Sequence, residues 1–470
     1  MARGHKSGSN QHAGTGDKFN RPIGLIGGIA LVIGGVIGMG IYVLLAQVTA
    51  QMGTSLWFPF SIAIIVSIVG VIPLIMISST LPRAGAGYLY SSRLLSPLFG
   101  VLASWWAIIG VACVTTFVSL GMAGYIAPNL PWNISIRAIS ILIPLCFLAL
   151  YMFGLRLATW LQVVMTAIMI VALLIYGFKG ALINGLVFTT SLPQGAGGLI
   201  MASIISYSVC FGFQVIAEMG EEIKNAKRNI PLSLLIGGAI ILVIYIVVGT
   251  VFANSVPYDM DVIKAMTAPL TETGEQFLSP FFIGLLNFGA IAAGLTSLNA
   301  GAIAIPRELF SQARDGIMPR FMGKLTGETK TPMNAVLVYF SLVILMLLAD
   351  MVLELGVDFF SVLTAIGIML MTVVVSIGSL FLQKKYPRDF ENAYFKMPRS
   401  VHWVIVVISV ISCLGFVFLV LTELPIAGVC YLVLTVILVG FYFIRSSVLK
   451  RDDSGWAEQF KQMPGFDEDN

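Results

Sequence analysis

The chain has 470 residues, of which 58% are hydrophobic and only 11% charged, with a formal net charge of +4. A soluble globular chain carries roughly 25% charged residues; here the deficit runs along the whole length, which excludes an ordinary soluble domain and reads as a polytopic membrane protein. The apolar stretches are about 20 residues long and unbroken, whereas barrel strands alternate over about 10 residues, so the expected spans are helices.

Residues 1–21 are polar and basic (Arg3, Lys6, Lys18, Arg21), with no short apolar core of a cleavable signal peptide, and read as a cytoplasmic N-terminal tail. Apolar runs at roughly 23–49, 56–80, 97–127, 134–153, 157–178, 199–219, 232–254, 279–305, 333–350, 357–382, 402–422 and 425–445 predict twelve transmembrane helices. Placing the N-terminus in the cytoplasm leaves all but three of the 27 Lys and Arg residues inside, the exceptions being Arg137, Lys179 and Lys264. Basic residues flank spans on the cytoplasmic side, so both termini are expected in the cytoplasm, and the positive net charge needs no nucleic-acid partner. The longest outside segment, 255–278, reads as a short surface helix or lid, or as a plain connector. The divisions expected are a ten-span core over 22–383, spans eleven and twelve over 384–446, and a polar C-terminal tail over 447–470.

Two spans carry the chemistry. The first, "GLIGGIALVIGGVIGMGIYVLLAQVTAQMG", has glycines at 34, 35, 38 and 40 in its middle. Glycine costs about 1 kcal/mol per helical position relative to alanine, so this density predicts an interrupted helix. The sixth has a similar feature in "SVCFGFQ" (208–214), with Gly212 at mid-span. Spans one and six hold corresponding places in two five-span units, 1–5 and 6–10. Irregular backbone survives at membrane depth only where it is buried or lines a cavity, and paired interruptions in two halves point to a transporter binding site. Half-helix N-termini offer N–H groups to an anion, and freed carbonyls attract a cation. A carboxylate beside an ammonium, as in an α-amino acid, satisfies both.

The remaining groups narrow the class. Cys113, Cys146, Cys210, Cys413 and Cys430 fall in apolar runs without a CxxC pair, and His5, His12 and His402 lie in the tail or at a span edge. No metal site, cofactor site or catalytic set follows from them, so an integral membrane enzyme is disfavoured. A sensor or channel of the same fold stays open as another class.

Four stretches resemble the amino acid–polyamine–organocation transporter superfamily: "VIGMGIY" (36–42), "LPRAGAGYLYSSRLLSPLFG" (81–100), "GF…EEIKNAKRNIP" (212–231), and "TSLNAGAIAIPRELFSQARDGIMPRF" (296–321) followed by "TKTP" (329–332). The resemblance covers about the first 335 residues in order. It implies an all-α integral membrane fold of twelve helices: a five-plus-five inverted repeat with helices 1 and 6 discontinuous, plus two extra helices. It further implies an amino acid permease of the plasma membrane, moving its small-molecule substrate through a lipid bilayer by alternating access.

Carried over by position, the substrate carboxylate meets N–H groups near Gly38, Met39 and Gly40, and the ammonium meets carbonyls near Val36, Ile37, Ser208 and Phe211. Gly212 and Gln214 complete the site, and Phe211 or Phe213 closes over it. Met39 stands where family members often have Ser or Thr, neutral Gln214 where an acid is common, and Met169 best matches a fifth-span lysine of some members.

Glu218, one turn past Gln214, is the proton-coupling candidate, although it also fits a cytoplasmic-mouth residue or a contact for a basic side chain. Without another acid in the pocket, neutral or apolar amino acids are favoured, with cationic amino acids or polyamines as the alternative. Thr296, Ser297 and Asn299 are candidate oxygen ligands for a coupling sodium ion. Arg83, Glu221, Glu222, Arg307, Glu308, Arg314 and Asp315, with Arg320 nearby, are expected to form ion pairs at the inner mouth or simply to mark helix ends. Oligomeric state is open.

Overall fold

The computed structural model describes residues 23–81, 86–131, 134–152, 159–210, 212–213, 216, 223–326, 331–393, 395–452 and 456–461. Among them the regular structure is helical, apart from single β-bridges joining Ile23 to Ile223 and Thr326 to Thr331. The first expected span is two helices, α1 (Leu25–Val36) and α2 (Gly40–Met52). There follow α3 (Trp57–Thr80), a short α4 (Ala86–Leu94), α5 (Pro97–Ile126), α6 (Ile136–Met152), α7 (Thr159–Asn184), α8 (Gly195–Val209) and α9 (Ala226–Ser255). Two short helices, α10 (Met260–Ala265) and α11 (Pro269–Gly274), precede α12 (Pro280–Arg314), α13 (Met333–Leu353) and α14 (Gly356–Ser379). The short α15 (Leu382–Lys385) and α16 (Pro387–Glu391) lead to α17 (Arg399–Glu423) and α18 (Pro425–Asp452).

Ten of these stretches are long and apolar enough to cross a membrane, counting Leu25–Met52 as one. Two shorter apolar helices, α6 and α8, lie where the fourth and sixth spans are expected. Burial separates centre from rim: 89% of the apolar stretch is buried in Leu25–Met52 and in α14, and 78% in α5, against 22% in α17 and 17% in α18. The last two helices therefore form an outer flank. They are fastened by side chains that satisfy polar groups across the interface, because hydrocarbon offers no substitute partner. Tyr431 Oη donates to Leu363 O at 2.8 Å, and Trp106 Nε1 donates to Thr435 Oγ1 at 3.0 Å.

The packing places α1 against α9 and α3 against α8; α5 against α14 and α7 against α12; α7 against α9 and α3 against α14; α1 against α7 and α8 against α14. Helices α2 and α8 also pack together, as do α6 and α13.

Segment 255–278, read as a short surface helix or lid or as a plain connector, holds two short helices: α10 and α11 both lie against α2, and the Asp259 carboxylate caps α10 by accepting from Asp261 N and Val262 N. At the far end α18 continues past residue 446 to Asp452, and Trp456–Lys461 forms a 3₁₀ turn packed on α4 and α18. That stretch of the expected tail is structured, because Trp456 and Phe460 bury their rings there.

Candidate functional site

The glycine-rich middle of the first span gives a break in hydrogen bonding rather than an extended segment. Ile37 and Met39 keep right-handed helical angles, while residues 37–39 belong to neither α1 nor α2. Met39 O accepts from Tyr42 N and Val43 N at 3.1 Å each, which starts α2. The N–H groups of Gly38, Met39 and Gly40 donate to no backbone oxygen among the described residues. Helix N-termini leave such donors exposed and carry the positive end of the dipole, so this corner suits a carboxylate.

The sixth-span feature faces it. Helix α8 ends at Val209, where Cys210 N donates to Ser206 O and Tyr207 O. Gly212 then adopts φ 133°, a conformation side chains rarely tolerate. A Cβ there would lie 2.4 Å from Gly35 O and 2.8 Å from Val36 N. The two interruptions thus meet backbone against backbone. Tyr245 of α9 binds them together, with its hydroxyl 2.9 Å from both Val36 O and Val209 O.

Leaving buried carbonyls without their donor costs about 1–3 kcal/mol. Tyr245→Phe is expected to lower the midpoint of thermal unfolding by at least ~2 °C. An unchanged midpoint in detergent-solubilised protein would show that the bridge holds nothing.

Of the residues expected at this site, Val36, Ile37, Gly38, Met39, Gly40, Ser208 and Gly212 belong to these two breaks. Val36 O accepts from Tyr245 Oη and keeps a second lone pair, and Ser208 Oγ donates to Ile205 O at 2.7 Å. Phe213 packs toward α9, where a Cβ on Gly238 would lie 3.4 Å from its ring. With Ser67, Tyr207, Cys210 and Thr372 it lines a narrow cavity. Phe211, Gln214 and Glu218 lie outside the described residues. Neighbours at the first break include Gly121, which packs on Met39 and Val43, with Val209 against Gly40 and Ser297 against Gly38.

A buried polar cluster adjoins the first break. Thr296 Oγ1 approaches Gly34 O at 3.3 Å, Asn299 Nδ2 donates to Gln162 Oε1 at 3.2 Å, and Thr166 Oγ1 approaches Ala30 O at 3.4 Å. Gln162 Nε2 and Asn299 Oδ1 are buried without a partner among the described residues. The fifth-span residues facing Gly34 are therefore Gln162 and Thr166; Met169 packs instead toward Gly289. Sequence reading named Thr296, Ser297 and Asn299 but missed Gln162 and Thr166. Their signal was two polar residues one helical turn apart in an otherwise apolar run.

At one end of the bundle, α4 is clamped to the end of α12. Glu308 caps α4, its Oε1 and Oε2 accepting from Gly87 N at 2.7 Å and Tyr88 N at 2.8 Å. Asp315 accepts from Nη1 and Nη2 of Arg93 and from Tyr88 Oη at 2.7 Å. Arg93 and Asp315 are both buried. Burial lowers the Arg93 pKa, but the hydrogen bond and charge of Asp315 outweigh it, and the net shift is upward. Burial, first, and the Asp315 charge raise that of Tyr88.

Two of the expected mouth residues, Glu308 and Asp315, are thus engaged, but the cation on Asp315 is Arg93, which sequence reading used only for topology. Arg307 donates to Ile303 O, and Arg314 stands 5.7 Å over the Phe310 ring. Arg83, Glu221 and Glu222 lie outside the described residues. At the opposite end, the Gln47 amide of α2 lies 3.2 Å from both carboxylate oxygens of Asp358 at the start of α14.

A family model described as amino acid permease matches residues 23–448. The chain is 24% identical to the branched-chain amino acid permease of Bacillus subtilis over 465 residues, which cover 92% of this chain and 95% of that protein. It is 26% identical over 331 residues to the mitochondrial cationic amino acid transporter 3 of Arabidopsis thaliana, covering 65% of this chain and 54% of that one. It is 25% identical over 331 residues to an uncharacterised transporter of Mycobacterium tuberculosis, covering 68% and 72%.

Proposed function

The chain belongs to the amino acid permease family, and on that premise we propose that it is a secondary or exchange transporter of the plasma membrane, moving neutral, preferentially apolar, amino acids by alternating access. The observation that carries this reading is the row of N–H groups at Gly38–Gly40 that donate to no backbone oxygen among the described residues, set beside the Gly212 break. These donors take the substrate carboxylate, as N–H groups at a half-helix N-terminus do. Carbonyls near Val36, Ile37, Ser208 and Phe211 take the ammonium, and Phe211 or Phe213 closes over it. In this reading the termini and the Arg93–Asp315 end are cytoplasmic, and Glu218 serves at the mouth or in proton coupling.

The twelve-span inverted repeat is supported by the packing. Moving each helix to the matching place in the other half exchanges α1–α9 with α3–α8, α5–α14 with α7–α12, α7–α9 with α3–α14, and α1–α7 with α8–α14. The preference for neutral side chains is supported by Met39, Val43 and Val209 around the breaks and by likeness to a branched-chain permease along nearly the whole chain. A cationic side chain buried among these apolar groups would be costly without a counter-ion. Likeness to a cationic amino acid transporter favours the second reading, transport of arginine or lysine.

Counterflow in proteoliposomes separates the two. Leucine-type amino acids are expected to compete at least about tenfold better than arginine, a difference of ~1.4 kcal/mol. The reverse order would favour the cationic reading, and absence of flux for every amino acid from folded protein would sink the proposal. Repeating the panel with pH and sodium gradients, in wild type and Glu218→Gln, assigns the coupling ion: pH dependence unchanged by Glu218→Gln places Glu218 at the mouth.

A further inference from the structure

The Arg93–Asp315 clamp is itself held from outside the core. Trp456 Nε1 donates to Asp315 O at 2.8 Å, and Gln459 Nε2 donates to the same oxygen at 3.2 Å. The Phe460 ring lies under the guanidinium of Arg93, 4.7 Å from Cζ to ring centroid. The Trp456 and Phe460 rings pack edge to face at 5.1 Å, and both residues are 6% exposed. The last helix reinforces the same corner: Arg445 Nε and Nη2 donate to Gly316 O at 3.1 and 2.8 Å.

A segment that merely trails in water has no reason to bury two aromatic rings. This one touches both partners of a buried ion pair that joins two different helices, α4 and α12. We propose that Trp456–Lys461 is an autoinhibitory latch: it holds α4 against the end of α12 and so keeps the inner mouth of the transporter closed. The device rests on the transport reading for its consequence and on the contacts above for its mechanism. When α4 parts from α12, the segment must release Arg93 or Asp315, because it bridges the two. Trp456 and Phe460 act through that pair, so they position the gate and do not touch substrate.

Hydrogen–deuterium exchange of the full-length protein in vesicles tests this, comparing wild type, Trp456→Phe and the Trp456→Ala/Phe460→Ala double variant. Loss of the latch is expected to speed exchange of the α4 amides about fivefold, the factor one net hydrogen bond supplies. Exchange in α17, on the outer flank, should not change, and amino acid counterflow should rise with α4 exchange. Trp456→Phe keeps the ring but loses the N–H, and should fall between the two; it carries the test if the double variant does not fold. Unchanged α4 protection in a folded variant overturns the latch, as does faster exchange in all helices together, which marks a merely structural role. If α4 opens but no amino acid moves through any of the proteins, the latch stands and the transport reading fails.

Discussion

Replacing Gly212 with alanine is expected to cut transport about a hundredfold and to reduce the yield of folded protein. Two costs add at this one position. The φ of 133° is strained for any residue with a Cβ, which alone costs about 1–3 kcal/mol. The new methyl would also lie 2.4 Å from Gly35 O and 2.5 Å from Gly35 C. Those atoms belong to α1 backbone, so no rotamer change relieves the overlap, and the breaks must separate or the chain must refold locally. A total above ~3 kcal/mol corresponds to more than a hundredfold change in an equilibrium. Gly284→Ala in α12 is the control, because a Cβ there meets nothing within 4 Å and alanine favours a helix. Uptake in proteoliposomes and size-exclusion profiles of both variants check the pair. A Gly212→Ala protein that transports at more than a tenth of wild-type rate with an unchanged profile would mean that the two breaks need not touch.

Gly212 was legible in the sequence because glycine is placed there by backbone geometry, and backbone demands show locally. The ten long apolar spans were legible for the same reason, since hydrophobic length is a property of consecutive residues. The clamp was not. Arg93 and Asp315 are separated by 222 positions, and nothing near Arg93 distinguishes a paired cation from one that only sets topology. Arg83 looked equivalent and lies outside the described residues. The latch was hidden by composition: "SGWAEQFKQ" is polar overall, and its message lies only in two aromatics four residues apart. Gln162 and Thr166 face Gly34 because the helix turn, and not positional likeness to a family at Met169, decides which side chains point there.

Neutralising one member of the clamp is expected to cost far more than neutralising both. In Asp315→Asn the guanidinium of Arg93, 2% exposed, keeps its charge and loses its counter-charge. Breaking a buried pair this way typically costs about 3–5 kcal/mol, so thermal midpoints of Asp315→Asn and Arg93→Met should fall by at least ~6 °C. In the Arg93→Met/Asp315→Leu protein both charges are gone and the buried volume is roughly kept, and such swaps are often neutral or better for stability. Its midpoint should recover most of the loss. The pair also fixes direction: two guanidinium nitrogens and the Tyr88 hydroxyl converge on one carboxylate, and an apolar contact does not reproduce that register. The double variant should therefore fold well yet exchange its α4 amides faster than wild type, the signature of a clamp that selects one state of the mouth. If it instead matches wild type in α4 protection and flux, burial alone closes this end of the bundle and the ion pair adds only orientation during folding.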